Sequence, residues 1–334
     1  MLSLIIRILL LAVPQSETQV SPPEHKTALM GITEKIIQYT VSFKKYLKND
    51  KAYQKYIRKL ISKDSKSISP PKLKSIVTES VFMAGDYSMQ LFQIGAESSK
   101  VVLYLPGGGY VEKAMSPHWR FADKIALGSG RTVFLASYPT APVHTYIETF
   151  ILLDALYRDL LTKYGADNII LVGDSAGGGL AAALCQDFAK KGLPQPYKTI
   201  LLSPWVDATM TNSSISEIEK VDPMLPKNAF MAAIAWAGED YSAILEKVPD
   251  NSKLWEWQIS PLRGDVSVMK NVRIFVGTHE IFYPDILLFD KKLRDSGVDV
   301  FTYVAPEMVH EFPLFPLKEV KWSVDEIIRI LSEP

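Results

Sequence analysis

Hydrophobic and polar positions change rhythm at about residue 75 of this 334-residue chain. Before it, lysines alternate with Tyr and Ile at helical spacing, broken by Pro22-Pro23 and Pro70-Pro71. That pattern predicts a basic, loosely patterned helical region over 15–75. After it the pattern is one of strands. Residues 81–84 and 88–94, on either side of Gly85-Asp86-Tyr87, predict an antiparallel hairpin. Short apolar runs follow at 101–105, 133–137, 169–172, 200–202, 272–276 and 298–304, most of them separated by helix-length segments such as 145–164 and 178–191. Runs that do not alternate belong to strands buried on both faces. Their alternation with helices predicts an α/β fold built on a mostly parallel sheet flanked by helices. Asp299 and Thr302 interrupt the last run, which suits an edge strand. From Ala208 to about Ser260 the rhythm stops: the chain is first polar, then helical and aromatic (Phe230, Trp236, Tyr241, Trp255, Trp257). We read that stretch as a helical insertion over the carboxyl edge of the sheet.

Composition narrows the class without naming a chemistry. Thirty-seven Lys/Arg balance 37 Asp/Glu, and apolar content is that of an ordinary globular protein. The charges are uneven, however, because residues 1–75 hold 14 Lys/Arg against five Asp/Glu. Interleaved with Tyr and Ile, these lysines read as a solvated helical face rather than an acidic-partner patch, and no recognition motif for nucleic acid accompanies them. The apolar segment 1–14 is interrupted by Arg7, is too short to span a bilayer and lacks a clear signal-peptidase site. A helix packing on the protein, or one dipping into a membrane surface, fits it as well as a signal peptide does. A cytoplasmic location is the default expectation. The single Cys185 excludes an internal disulfide and falls where a small buried residue belongs.

The chemistry gathers around Gly173-Asp174-Ser175-Ala176-Gly177-Gly178, which follows the apolar run 169–172 and opens a small-residue helix. G-x-S-x-G in a strand–turn–helix context is a nucleophile elbow. The serine is held in a strained turn, its flanking glycines avoid collisions, and the next N–H, from Ala176, points where the hydroxyl points. A neutral serine needs a base, normally a histidine oriented by a carboxylate. Of five histidines, His25, His118 and His144 precede the elbow, leaving His279 and His310. In chains built on such an elbow the acid and then the base follow the nucleophile. His310, beyond the strand 298–304 in a loop feeding the last helix, is therefore the candidate base. After 272–276, Glu280 is the first carboxylate and the candidate acid, with Asp285 as the alternative. The glycines of Pro106-Gly107-Gly108-Gly109-Tyr110 let backbone approach a ligand, and the absence of a following G-K-[ST] argues against nucleotide.

Taken together, Tyr104-Leu105-Pro106-Gly107-Gly108-Gly109-Tyr110, Tyr138-Pro139-Thr140-Ala141-Pro142, the elbow, Ser203-Pro204-Trp205-Val206-Asp207 and Val309-His310-Glu311-Phe312-Pro313 resemble the hormone-sensitive-lipase-like branch of the α/β-hydrolase fold over most of 76–334. The resemblance implies Ser175 as nucleophile, Glu280 as orienting acid, His310 as base, and Gly108, Gly109 and Ala176 as oxyanion-hole donors. It also implies a helical cap, built from the basic region 1–75 and the insertion at about 208–260, over a core of 76–334. Two residues depart from the family pattern: Pro106 stands where a histidine usually opens the glycine motif, and Glu280 where Asp is commoner.

The function implied is hydrolysis of carboxylic esters, with no cofactor or metal, on a small apolar ester substrate of short to medium acyl length. Tyr110, Trp205 and Phe282 are the candidate substrate contacts. Amide or formamide hydrolysis would use the same residues. A small-ligand receptor on a disabled scaffold is the alternative outside enzymology, and the intact serine, acid and histidine set argues against it.

Overall fold

A computed structural model describes residues 43–240 and 247–333. The apolar segment 1–14, the rest of the basic region up to residue 42, His25 and Tyr241 lie outside the described residues. Among those described, no helix is long and apolar enough to cross a membrane.

Eight strands form one sheet: β1 (Val77–Ala84), β2 (Tyr87–Ile94), β3 (Val101–Leu105), β4 (Thr132–Ser137), β5 (Ile169–Asp174), β6 (Lys198–Leu202), β7 (Val272–His279) and β8 (Val300–Val309). Their order is β1-β2-β4-β3-β5-β6-β7-β8, antiparallel at β1/β2 and β2/β4 and parallel elsewhere. The helices are α1 (Asp50–Asp64), α2 (Ser116–Ser129), α3 (Tyr146–Tyr164), α4 (Ser175–Lys190), α5 (Ile215–Ile218), α6 (Phe230–Trp236), α7 (Tyr283–Asp295) and α8 (Lys321–Ser332). The continuous apolar runs have the expected cause. Val101, Leu103 and Leu105 face the core that holds α3, α4 and α7, whereas Val102 and Tyr104 face α2 and α8. Each central strand is thus buried on both faces.

The order reverses at one place. From β3 the chain continues to β4 on one side, and from β5 to β6 on the other, so the loops after β3 and β5 part above the sheet. In open α/β sheets that divergence opens a crevice at the carboxyl edge, where ligands bind.

The structure departs from the sequence reading in three places. The hairpin turn is two residues, because Ala84 pairs with Tyr87 and Gly85 takes a left-handed φ of 59°. β8 lies at the sheet edge, but it continues to Val309, where we read a loop. An edge strand tolerates Pro306, and the register slips against β7 between Gly277 and His279. The insertion is much less helical than expected. Its described part holds only α5, α6 and short 3-10 turns at Lys227–Ala229 and Lys253–Trp255, since Pro223, Pro226, Gly238 and Pro249 keep breaking it. All seven residues of α6 are buried, which explains why it is apolar on every side. The insertion meets the region before it: Phe43 N–H donates to the Met224 carbonyl (3.0 Å), Asn228 to the Leu47 carbonyl (3.0 Å) and Lys44 to the carbonyls of Glu219 (3.1 Å) and Asp222 (2.6 Å).

Candidate active site

Ser175 sits where β5 turns into α4, with φ at 51°, in the left-handed region that a β-substituted residue enters only under strain. The elbow can be this tight because of two glycines. A Cβ on Gly173 would run into the Gly177 carbonyl, and one on Gly177 into the carbonyls of Leu105 and Pro106. The elbow is therefore pressed against the end of β3. The first N–H groups of α4, Ala176 among them, are left without a capping side chain.

His310 directly follows β8 and is 2 % exposed. Its Nε2 is 2.8 Å from Ser175 Oγ. On the other side of the ring, Glu280 Oε2 lies 3.5 Å from Nδ1, a loose approach that such sites commonly tighten once substrate is bound. β7 runs on to His279, so Glu280 is the first residue past the strand. The Ser203 hydroxyl donates to the same Oε2 (2.6 Å) and accepts from the Glu311 N–H (3.0 Å). Glu280 is completely buried, and burial pushes its carboxyl up against the opposing pull of His310 and Ser203. Asp285 does not reach the histidine. It sits in the first turn of α7 and accepts from Asn212 (2.8 Å), and burial raises it to about 7.

Gly108, Gly109 and Tyr110 carry positive φ in succession (131°, 62° and 64°), and Val111 and Glu112 N–H close the turn onto the Gly108 carbonyl (3.1 and 2.9 Å). Only glycine adopts such values freely at the first two positions. A Cβ on Gly108 would strike the Glu112 carbonyl. Gly108, Gly109, Ser175 and His310 all border one cavity of about 40 Å³. Trp205 and Phe282 form part of its wall; Tyr110 does not. Tyr110 is buried behind it, stacked on Trp236 (3.9 Å between centroids) and on Trp205 (5.5 Å). Phe282 meets the His310 ring edge-on at 5.1 Å. The remaining wall includes Phe43 and Leu47, ahead of α1, and Met224, Leu225 and Ala232 of the insertion. Sequence reasoning missed these five, because nothing local ties an apolar side chain in an irregular segment to a distant serine.

It also missed what surrounds Asp174. This buried residue takes the Tyr104 hydroxyl on Oδ1 and the Gly107 N–H on Oδ2 (2.8 Å). His118, set aside because it precedes the elbow, faces the same Oδ2 at 3.3 Å from the first turn of α2. A carboxylate inside an apolar elbow must find donors, and that requirement was the signal available in the sequence. Glu311, next to the base, completes the group. His118, Asp174 and Glu311 are the one trio of potential metal-ligand side chains that converges among the described residues. Both Asp174 oxygens already hold protein donors, which fits a proton network better than a cation. Of the other described histidines, His144 bonds Glu148 (2.5 Å) and faces Asp64 (3.4 Å), and His279 ends β7. Cys185 is buried beside Thr199, its thiol pushed up to about 12 by burial.

Comparison with known proteins bears on the fold that carries this site. A family model of the alpha/beta hydrolase fold matches residues 102–314. An esterase of Acinetobacter venetianus is 26% identical over 221 residues, covering 66% of this chain and 70% of its own. An acetyl-hydrolase of Streptomyces hygroscopicus is 26% identical over 237 residues, covering 69% and 74%. Among solved structures, an esterase from the bacterial hormone-sensitive lipase family superposes with a TM-score of 0.73 at 26% identity, over 92% of this chain and 98% of that one.

Proposed function

The chain belongs to the α/β-hydrolase fold family, and on that premise we propose that it hydrolyses small carboxylic esters with Ser175 as nucleophile, His310 as base and Glu280 as the acid that orients it. Carboxylic-ester hydrolysis is the activity its esterase and acetyl-hydrolase relatives are named for. The observation that carries the residue assignment is the 2.8 Å hydrogen bond between Ser175 Oγ and His310 Nε2, with a buried carboxylate behind Nδ1. His310 Nε2 takes the proton as Oγ attacks the ester carbonyl. The N–H groups of Gly108, Gly109 and Ala176 receive the charge that develops on oxygen, the term that usually contributes most in acyl transfer. The imidazolium then protonates the departing alcohol. Water, deprotonated by the same nitrogen, releases the acid and restores Ser175.

The cavity supports a small acyl group. About 40 Å³ holds roughly three waters, room for a short acyl chain but not a long one. Apart from Ser175, His310 and Glu311, its wall is apolar (Phe43, Leu47, Leu225, Ala232, Trp205 and Phe282 among others), which favours an uncharged acyl group. The test is covalent labelling by a fluorophosphonate, which should fall on Ser175 alone, followed by an acyl-length series on activated esters. Turnover should peak at acetyl to butyryl. Labelling elsewhere, or a preference for long chains, would overturn the reading.

A further inference from the structure

Beside the triad lies a second pair of carboxyl groups with a different geometry. Asp174, just before the nucleophile, is fully buried, and Glu311, just after the base, is 14 % exposed at the wall of the cavity. Their oxygens meet at Gly107: a Cβ there would fall on both Asp174 Oδ2 and Glu311 Oε1. The Gly107 N–H donates to Asp174 Oδ2 at 2.8 Å, so the pair grips the backbone from which Gly108 and Gly109 extend. Glu311 Oε1 is also 3.9 Å from His310 Nε2. Its backbone N–H, bonded to Ser203 Oγ at 3.0 Å, reaches the arm that holds Glu280. Glu311 pays for this placement with a φ of 56°, a conformation that glycine would adopt without strain. A strained non-glycine residue whose side chain lies against both the oxyanion loop and the base, while its backbone bonds Ser203, points to a role in the site.

We infer that Asp174 and Glu311 share one proton, and that this carboxyl–carboxylate pair, backed by His118, is a positioning device clamping the oxyanion loop to the nucleophile elbow. The inference rests on the ester-hydrolase reading above. Two carboxylates crowded against one glycine, one of them fully buried, resist ionising together, so one keeps its proton. Asp174 is the ionised partner. Burial pushes it up, but the adjacent His118 and the bonds from Glu311 and Tyr104 more than offset this and hold it below the ordinary carboxylate range. His118 Nδ1 accepts from the Met115 N–H (2.8 Å), which places the ring proton on Nε2, facing Asp174. Glu311 carries the shared proton: burial first, then the charge of Asp174, push it well above the ordinary range. The other titratable groups facing the pair are Tyr104 from β3, Tyr138 after β4, His310 after β8 and Glu280 after β7. Tyr138 donates to the Pro106 carbonyl (2.7 Å), which secures the loop where the family histidine is missing.

At alkaline pH the shared proton leaves as water by reaction with hydroxide, and the two charges drive Gly107 off Asp174. The oxyanion donors then misalign and kcat falls. The experiment is kcat on a short-chain ester from about pH 6 to about pH 10.5, corrected for spontaneous hydrolysis and kept to the range where circular dichroism is unchanged. Wild type should lose at least about tenfold along an alkaline limb. Glu311→Gln, which donates to Asp174 at every pH, should lower the plateau yet abolish the limb, and Asp174→Asn should do the same. As a check that needs no variant, the infrared spectrum of wild type should contain a buried protonated-carboxyl band near neutrality that disappears along the limb. A missing limb, a limb kept in both variants, or no such band would overturn the inference. So would activity lost to EDTA and restored by zinc, because a cation would then join the carboxylates. Fluorophosphonate labelling of Ser175 in the same samples separates the two readings: if it persists without the limb, only the clamp fails.

Discussion

The floor and the roof of the cavity are built on different principles. The floor is the carboxyl edge of the sheet. Ser175, Glu280 and His310 each stand at, or one residue past, the end of a regular strand (β5, β7 and β8), and the glycine loop leaves β3. The roof is made of Phe43, Leu47, Met224, Leu225 and Ala232, which lie in 3-10 turns, short helices and connecting chain. The floor's positions are fixed by backbone hydrogen bonding between strands, whereas the roof is held mainly by apolar packing and a few bonds such as that of Lys44 to two carbonyls. In the proposed reaction, chemistry, which tolerates little misplacement, sits on the rigid part, and selectivity sits where substitution does less harm. The comparison therefore predicts that floor variants change kcat and roof variants change which acyl chain is preferred.

The largest effects should come from the floor. Ser175→Ala and His310→Ala should each lower kcat by about a thousandfold or more, and the double variant should be scarcely worse, since the residues act as one unit. Glu280→Gln should cost less than either but still about a hundredfold or more, because the wrong tautomer of the base is favoured. Rate measurements on one activated ester decide this. Additive losses in the double variant would remove these residues from a common step.

An intermediate effect belongs to the roof. Phe43 lies 3.6 Å from where a Cβ on Gly109 would be and lines the same cavity as Ser175. Phe43→Ala should raise the kcat/KM ratio of hexanoyl to acetyl esters by about tenfold, or about 1.4 kcal/mol, while kcat on acetyl changes less than on any floor variant. Leu225→Ala should move the ratio the same way. If either variant instead lowers kcat equally for every chain length, the division between floor and roof is wrong.

The same division governs what was legible in the sequence. β3 and β5 stood out because strands buried on both faces need continuous apolar runs, and the elbow because close packing on Leu105 and Pro106 admits only glycine at 177. Elimination pointed to His310, which the structure places beside Ser175, although the strand before it is longer than its apolar run, since Pro306 and Glu307 are carried at an edge. Tyr110 was read as a substrate contact, yet a ring next to a glycine turn is as easily stacked beneath the site, between Trp205 and Trp236. His118 was discarded by chain order, a rule that concerns the base and not the donors a buried Asp174 requires. The insertion was overcalled as helix because aromatic content was weighed above its prolines.

The smallest effect on activity is expected from the carboxylate five residues past Glu280. Asp285 is 2 % exposed, and one of its oxygens lacks a hydrogen-bond partner among the described residues. Burial is the main cause of its rise to about 7, with Asp207 adding and Asn212 and Arg263 opposing. In the unfolded chain an aspartate titrates near about 4. Between those values the unfolded state binds fewer protons than the folded one, so this group's contribution to stability falls as pH rises from about 4 to about 7 and is level above. The whole span is at most about 4 kcal/mol, less whatever local relaxation returns. Asp285→Asn imitates the protonated form. It should raise the Tm more at about pH 8 than at about pH 5, and leave kcat within about twofold of wild type. An equal shift of Tm at both pH values would mean that the carboxyl is already ionised and paired. A fall in kcat comparable to that of Glu280→Gln would make Asp285 part of the floor, and the assignment of the acid would move with it.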